Sequence, residues 1–136
     1  MAAPRDVAVL AELQDIAPNA VSAYAGWVAA HTETHLPFVA DLDGQVVGAA
    51  WLLVAERVPR GSSLSRRYGD VQSVMVPPQF RNQGIGGALM EAILVEARTR
   101  QLTHVTVHSG RRAVDFYLRH GFSHDRQLLL WEPADP

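Results

Sequence analysis

The sequence predicts an α/β chain: one central mixed β-sheet with helices packed on its faces, an α+β arrangement. Three observations carry that prediction. Apolar residues recur at three- and four-residue spacing in several segments, as helices require. Shorter runs that are apolar or alternate apolar with polar lie between them, and turn residues such as Asp43-Gly44, Pro77-Pro78 and Gly121 mark the boundaries. At 136 residues, 48% hydrophobic and 19% charged, the chain suits one domain over 1–136 with a real core.

Asp6 is placed to cap a first helix, whose stripe of Val9, Leu10, Leu13 and Ile16 stops before Pro18. Residues 19–35 continue as helix, with Val21, Tyr24, Trp27 and Val28 at helical spacing. Residues 37–56 read as a hairpin that turns at Asp43-Gly44. The stretch 57–69, rich in Gly, Ser and Arg, reads as a loop, and 70–76 as a strand ended by Pro77-Pro78. A helix over 84–100 carries Ile85, Leu89 and Ile93 on one face. Residues 103–109 alternate as a strand. Residues 111–120 form a helix that gathers Ala113, Phe116, Tyr117 and His120, with Gly121 as its stop. Residues 126–132 read as a closing strand.

Composition excludes several function classes. A net charge of −2 and a pI near 6.3 give no general attraction to nucleic acid or to anionic membranes. No apolar run approaches the roughly 20 residues of a membrane span, and the first residues lack the pattern of a secretory signal, so a soluble cytoplasmic protein is expected. The absence of cysteine removes disulfides, thiolate metal sites and thiol nucleophiles. All twelve basic residues are arginine, so the only primary amine on the chain is its N-terminus. In "HTETH", His31 and His35 stand a helical turn apart, but no third ligand is evident; surface or acceptor-pocket residues are expected there and no metal.

The helix over 84–100 opens with Gly84, Gly86 and Gly87, although each glycine costs about 1 kcal/mol relative to alanine in a helix. Bare backbone at a helix N-terminus suits an anion, usually a phosphate; a flexible turn without ligand is the alternative. A P-loop requires a lysine that the chain lacks. The dinucleotide fingerprint requires its glycines directly after a strand, whereas "PPQFRNQ" intervenes and the third position is Leu89. What remains is Arg/Gln-x-x-Gly-x-Gly/Ala, present as Arg81-Asn82-Gln83-Gly84-Ile85-Gly86.

That motif is not alone. "SVMVPPQFRNQGIGGALM" followed by "RAVDFYLRHGF" resembles the GNAT N-acetyltransferase superfamily in motif identity, order and spacing, and the hairpin "ADLDGQVVGAAWL" and the first helix resemble its earlier elements. The resemblance implies a GNAT fold whose central mixed sheet contains two splayed parallel strands. The family's first strand would be short or missing, since only "MAAPR" precedes the first helix. It implies an acetyl-CoA-dependent N-acetyltransferase acting on a primary amine of a small molecule or peptide by direct attack in a ternary complex; a non-catalytic CoA-binding regulatory or interaction module is the alternative. A homodimer is compatible with it.

Residue by residue, the resemblance assigns the pyrophosphate to the turn of Arg81, Asn82, Gln83, Gly84, Ile85, Gly86 and Gly87. It places the pantetheine arm along Val74, Met75 and Val76, with a backbone N–H near Met75 holding the thioester oxygen. Tyr117 corresponds to the phenol that protonates the leaving thiolate, with core packing beside Phe116 as the plainer role. Asp70 stands where some members place a catalytic glutamate; a strand-entry role, a bound water or a histidine such as His108 are its rivals. Gly110 stands where the family usually has asparagine, with Ser109 beside it. The arginines at 57, 60, 66 and 67 make the loop before Asp70 basic: a solvated loop, or a flap over the acceptor.

Overall fold

A computed structural model of the chain describes residues 6–134. Helices α1 (Val7–Leu13) and α2 (Val21–Ala30) lead into strands β1 (His35–Leu42), β2 (Gln45–Arg57) and β3 (Arg66–Met75). Helix α3 (Ile85–Thr99), strand β4 (Val105–Val107) and helix α4 (Val114–Arg119) follow. The sheet runs in the order β1-β2-β3-β4, antiparallel between β1, β2 and β3 and parallel between β3 and β4. Asp43 and Gly44 both take positive φ, 52° and 87°, the backbone that a two-residue hairpin needs. The Asp41 carboxylate accepts the Gly44 N–H at 2.8 Å and fixes that turn.

The central strand β2 is covered on both faces, which is why "VVGAAWLLVA" reads as a nearly unbroken apolar run. Ala50, Leu52 and Val54 face α3 and α4, joining Leu36, Phe38 and Val71 against Leu89, Met90, Ile93 and Tyr117. Ala49 and Trp51 face the other way, against Leu10 of α1 and Val28 of α2. The helices therefore form two layers with the sheet between them.

Several elements differ from the sequence reading, among them the strand expected over 103–109, which is only Val105–Val107. The helix expected over 19–35 ends at Ala30, and β1 is already under way at His35; Pro37 is tolerated because β1 lies at the edge of the sheet. Strand β3 begins at Arg66 rather than at 70, since pairing of Arg66–Gly69 with Val54–Arg57 overrides the loop-like composition. The helix expected over 111–120 opens as a 3-10 turn, Arg111–Ala113. Residues 126–132 form no strand: Leu128, Leu129, Leu130 and Trp131 are 63%, 86%, 69% and 82% exposed. The question of a short or missing first strand falls on residues 1–5, outside the described residues.

Ile93, fully buried on the α3 face, ties that helix to the sheet. Ile93→Ala is expected to cost about 2–5 kcal/mol, the range of large-to-small core truncations, read as a lower urea midpoint with an unchanged m-value.

Candidate active site

The site begins where two parallel strands part. Gly69, Asp70 and Val71 of β3 pair with Val105, Thr106 and Val107 of β4, and there the ladder stops although β3 runs on to Met75. On its other edge β3 stays paired with β2 through a bulge: Trp51 opposes Gln72 and Ala49 opposes Met75, so Ser73 and Val74 share one partner position. Ser73 takes φ 54°, and its hydroxyl accepts a hydrogen bond from Gln14 Nε2 at 3.0 Å, which links the bulge to the end of α1. The sequence reading missed this bulge.

A cleft of about 1130 Å³ opens from the parted strand. Val74, Met75 and Val76 form one wall, and Arg81, Asn82, Gly84, Ile85, Gly86 and Gly87 form the end where α3 begins. Phe116 and Tyr117 of α4 form the floor. Gln83 is not among the lining residues; its amide donates to the Gln79 carbonyl at 3.1 Å. Asp70 is not among them either.

The glycine turn has two separate causes. Asn82 and Gly84 take positive φ, 62° and 81°, and at Gly84 an added Cβ would meet nothing within 4 Å, so backbone shape alone selects glycine there. At Gly86 a Cβ would stand 3.3 Å from the Phe116 ring, and at Gly87 2.9 Å from His120 Nε2. These two glycines let the first turn of α3 pack onto α4. Gly84 supplies no side-chain cap, and the Ala88 N–H bonds to the Gly84 carbonyl at 3.0 Å. The N–H groups of Ile85, Gly86 and Gly87 therefore have no intrahelical partner and stand at the positive end of the helix dipole.

Charge is divided along the cleft. Arg81, Arg112 and Arg119 line it, and Glu12 and Asp15 line the α1 side. Arg81 also donates from Nε to the Val76 carbonyl at 3.0 Å, bracing the strand end. Sequence reasoning missed Arg112, Arg119, Glu12 and Asp15. Arg112, Phe116 and Arg119 share one helical face, a signal that was available; nothing in the sequence brings α1 beside β3.

Tyr117 is 8% exposed, held edge-on between Phe116 and Phe122 with ring centroids 5.1 and 5.4 Å away. Burial raises its pKa above the ordinary 10.0. Asp70 lies across the sheet from it, because Asp70 and Val71 alternate faces and Val71 shares the core with Tyr117. Its carboxylate accepts the Thr106 hydroxyl at 2.6 Å and Gln72 Nε2 at 3.1 Å, so the first of these bonds joins β4 to β3 at the middle of their three paired rungs.

The basic loop is not a flap over this cleft. Arg66 and Arg67 belong to β3, and the β2–β3 connection lies at the Arg66 end, about 30 Å from Met75 at about 3.3 Å per residue. Arg66 and Arg67 donate to the carbonyls of Val58 and Arg100 at 3.1 and 3.2 Å. His31 and His35 are not on one helix, yet their rings meet at 5.4 Å, with Trp27 stacked on His31 at 4.2 Å. Burial, then the neighbouring His31, lowers the His35 pKa. His108 is exposed and outside the cleft lining.

Parted parallel strands, an uncapped glycine-led helix and a buried tyrosine between them define a cleft suited to a long phosphorylated ligand. Comparison with known proteins gives the family: residues 7–122 match the model of the Acetyltransferase (GNAT) family, and the chain belongs to it. It is 32% identical over 88 residues to a glucosamine 6-phosphate N-acetyltransferase of Trypanosoma brucei brucei, covering 64% of this chain and 58% of that protein. It is 34% identical over 97 residues to an amino-acid acetyltransferase of Mycobacterium tuberculosis, covering 71% of this chain and 45% of that one. The chain thus spans about half the length of the curated relatives it matches. Among solved structures, a "predicted acetyltransferase" of Clostridium acetobutylicum with acetyl-CoA superposes with a TM-score of 0.77 at 16% identity, covering 96% of this chain and 92% of that one. No helix among the described residues is long and apolar enough to cross a membrane.

The buried phenols give a pH signature. Burial raises the pKa of Tyr24 as well as Tyr117, so as pH rises past 10.0 the unfolded chain loses these protons first. Stability is then expected to be unaffected by these groups below pH 10.0 and to fall as pH rises from there through the folded-state values. Urea unfolding of Tyr117→Phe should show a shallower alkaline loss than the wild type.

Proposed function

We propose that the chain is a cytoplasmic, single-domain N-acetyltransferase that takes acetyl-CoA as donor and a primary amine of a small molecule or peptide as acceptor, by direct attack within a ternary complex. One observation carries the reading: a cleft that joins the uncapped start of α3 to the buried Tyr117 along the stretch of β3 released from β4. Its size, the bare N–H groups of Ile85 to Gly87 and the arginines at 81, 112 and 119 fit a pyrophosphate with a long arm. When bound, acetyl-CoA supplies the activated acyl group and a thiolate leaving group.

This chain's residues would then divide the work. The backbone N–H near Met75 polarises the thioester carbonyl. As the amine nitrogen bonds the acyl carbon and the C–S bond breaks, Tyr117 would give its phenolic proton to sulfur, whose thiol has a pKa of roughly 8.5, and regain one through water from the second N–H that the nitrogen loses in becoming an amide. Glu12 and Asp15 attract a cationic amine to the α1 side of the cleft. The proton of that ammonium passes to Asp70; because Asp70 stands outside the cleft lining, a water carries it there.

Tyr117→Phe tests the reading most directly. It removes one hydroxyl and keeps the ring between Phe116 and Phe122. It is expected to lower kcat on the order of 10²-fold while leaving the CoA Kd nearly unchanged. Thiol release over a panel of amines, with CoA-induced thermal stabilisation as the binding readout, checks both. CoA binding with no turnover for any amine would make the chain a binding module.

Asp70→Asn is expected to depress the rate most at low pH, where amine deprotonation limits, and to recover partly as pH rises. An unchanged pH–rate profile would remove Asp70 from proton transfer and leave it as the link between β3 and β4.

A further inference from the structure

His120 closes the α4 side of the glycine turn. Of the six histidines in the chain it is the one that lines the cleft, beside Gly86, Gly87 and Arg119. Two contacts hold its half-buried ring. Its Nδ1 bonds to the Phe116 carbonyl at 2.8 Å, one helical turn back, and the ring lies tilted on that of Phe116 with centroids 4.5 Å apart. The other nitrogen points at the start of α3. Nε2 stands 2.9 Å from where a Cβ on Gly87 would be, nearer than the ring carbons on either side of it at 3.5 and 3.9 Å.

The Phe116 carbonyl fixes the proton. A carbonyl only accepts, so that bond requires hydrogen on Nδ1. In the neutral ring Nε2 then presents a lone pair to the turn whose N–H groups, from Ile85 to Gly87, have no intrahelical partner. An anion held by those groups would face a second acceptor. A proton on Nε2 reverses this: the nitrogen becomes a donor carrying positive charge, while Nδ1–H stays on the carbonyl. The Phe116 face and the carbonyl end of α4 both favour such a cation.

We infer that His120 is a ligand of the donor's diphosphate and binds it as imidazolium, so that a proton is taken up with the nucleotide. The inference rests on the acetyl-CoA reading above and adds one residue and one proton to it.

The surroundings leave the imidazole as the source of a pH response. Arg81 faces this part of the cleft from the turn, Arg112 and Arg119 from α4 and the 3-10 turn before it, Glu12 and Asp15 from α1, and the Tyr117 phenol from the floor. On α3 the charged side chain in line with Gly87 is Glu91, one turn further on and exposed. Guanidiniums, carboxylates and phenols ordinarily keep one charge state between about pH 5.5 and 8, whereas imidazole changes its charge there. A diphosphate diester stays ionised throughout, but the 3′-phosphate of CoA is a monoester that titrates near about pH 6.

Dephospho-CoA, which keeps the diphosphate and lacks the 3′-phosphate, is therefore the probe. It is titrated calorimetrically into the full chain in two buffers of different ionisation enthalpy. The wild-type Kd is expected to fall about tenfold from about pH 8 to about pH 5.5, the worth of one bond to a charged group, with net proton uptake on binding. His120→Gln keeps a polar side chain that does not titrate and leaves the other five histidines in place. Its Kd should stay within about twofold over the same range, without uptake. A pH dependence that survives this substitution would overturn the inference, since it would belong to the charge of the whole chain. Wild-type binding with no proton uptake would overturn it without recourse to any variant. So would a response seen with CoA and absent with dephospho-CoA, which would move the imidazole to the 3′-phosphate. Failure of both nucleotides to bind at any pH would remove the acetyl-CoA reading itself, and this inference with it.

Discussion

The cleft depends on one constraint: β3 must keep its partner on one edge while losing its partner on the other. With β2 it pairs from Arg66 to Met75; with β4 it pairs only from Gly69 to Val71. The bulge at Ser73 and Val74 reconciles the two, since an inserted residue bends and twists a strand without releasing it from its neighbour. Gly48 matters on the opposite strand, where a Cβ would stand 3.0 Å from Ile85 and 3.2 Å from the Met75 carbonyl. Its bare backbone lets the first residue of α3 reach the sheet beside the opening. The strand, the glycine turn and the helix start are thereby fixed relative to one another before any ligand arrives.

Which parts of this were legible follows from the range of the interactions involved. The hairpin at Asp43-Gly44, the glycine-led helix and the helix carrying Tyr117 rest on local signals: turn backbone, apolar spacing and stops. The motif pair carried the family and the turn residues. The bulge at Ser73 was hidden because it exists only through the register of β2 against β3. The start of β3 was hidden likewise: "SRRYG" has loop composition, and pairing with Val54–Arg57 makes it strand. Glu12 and Asp15 reach the cleft because α1 packs on Ala49 and Trp51, a contact some forty residues distant in sequence. The same distance effect made the basic loop look close to the site when it sits at the far end of β3.

The sheet also separates two kinds of chemistry. Tyr117 lies in the apolar layer with Phe116 and Phe122, which favours its neutral form. Asp70 lies on the other face, hydrogen-bonded in a polar row with Gln72 and Thr106. The sheet lies between the two residues, and Asp70 is outside the cleft that Tyr117 lines.

The two helical layers are held very unequally. On the α3 side the buried cluster runs from Leu36 and Phe38 through Leu52 and Val71 to Leu89, Met90, Ile93 and Tyr117. On the α1–α2 side it is Leu10, Val28, Ala49 and Trp51, and there the Tyr24 hydroxyl and the Trp51 indole N–H are buried with no protein hydrogen-bond partner among the described residues. The α1–α2 layer is therefore the one with less packing to lose when its helices change, while the α3 side keeps the larger buried cluster. A change confined to α1 and α2 would thus alter one wall of the cleft and leave the packing of the other in place.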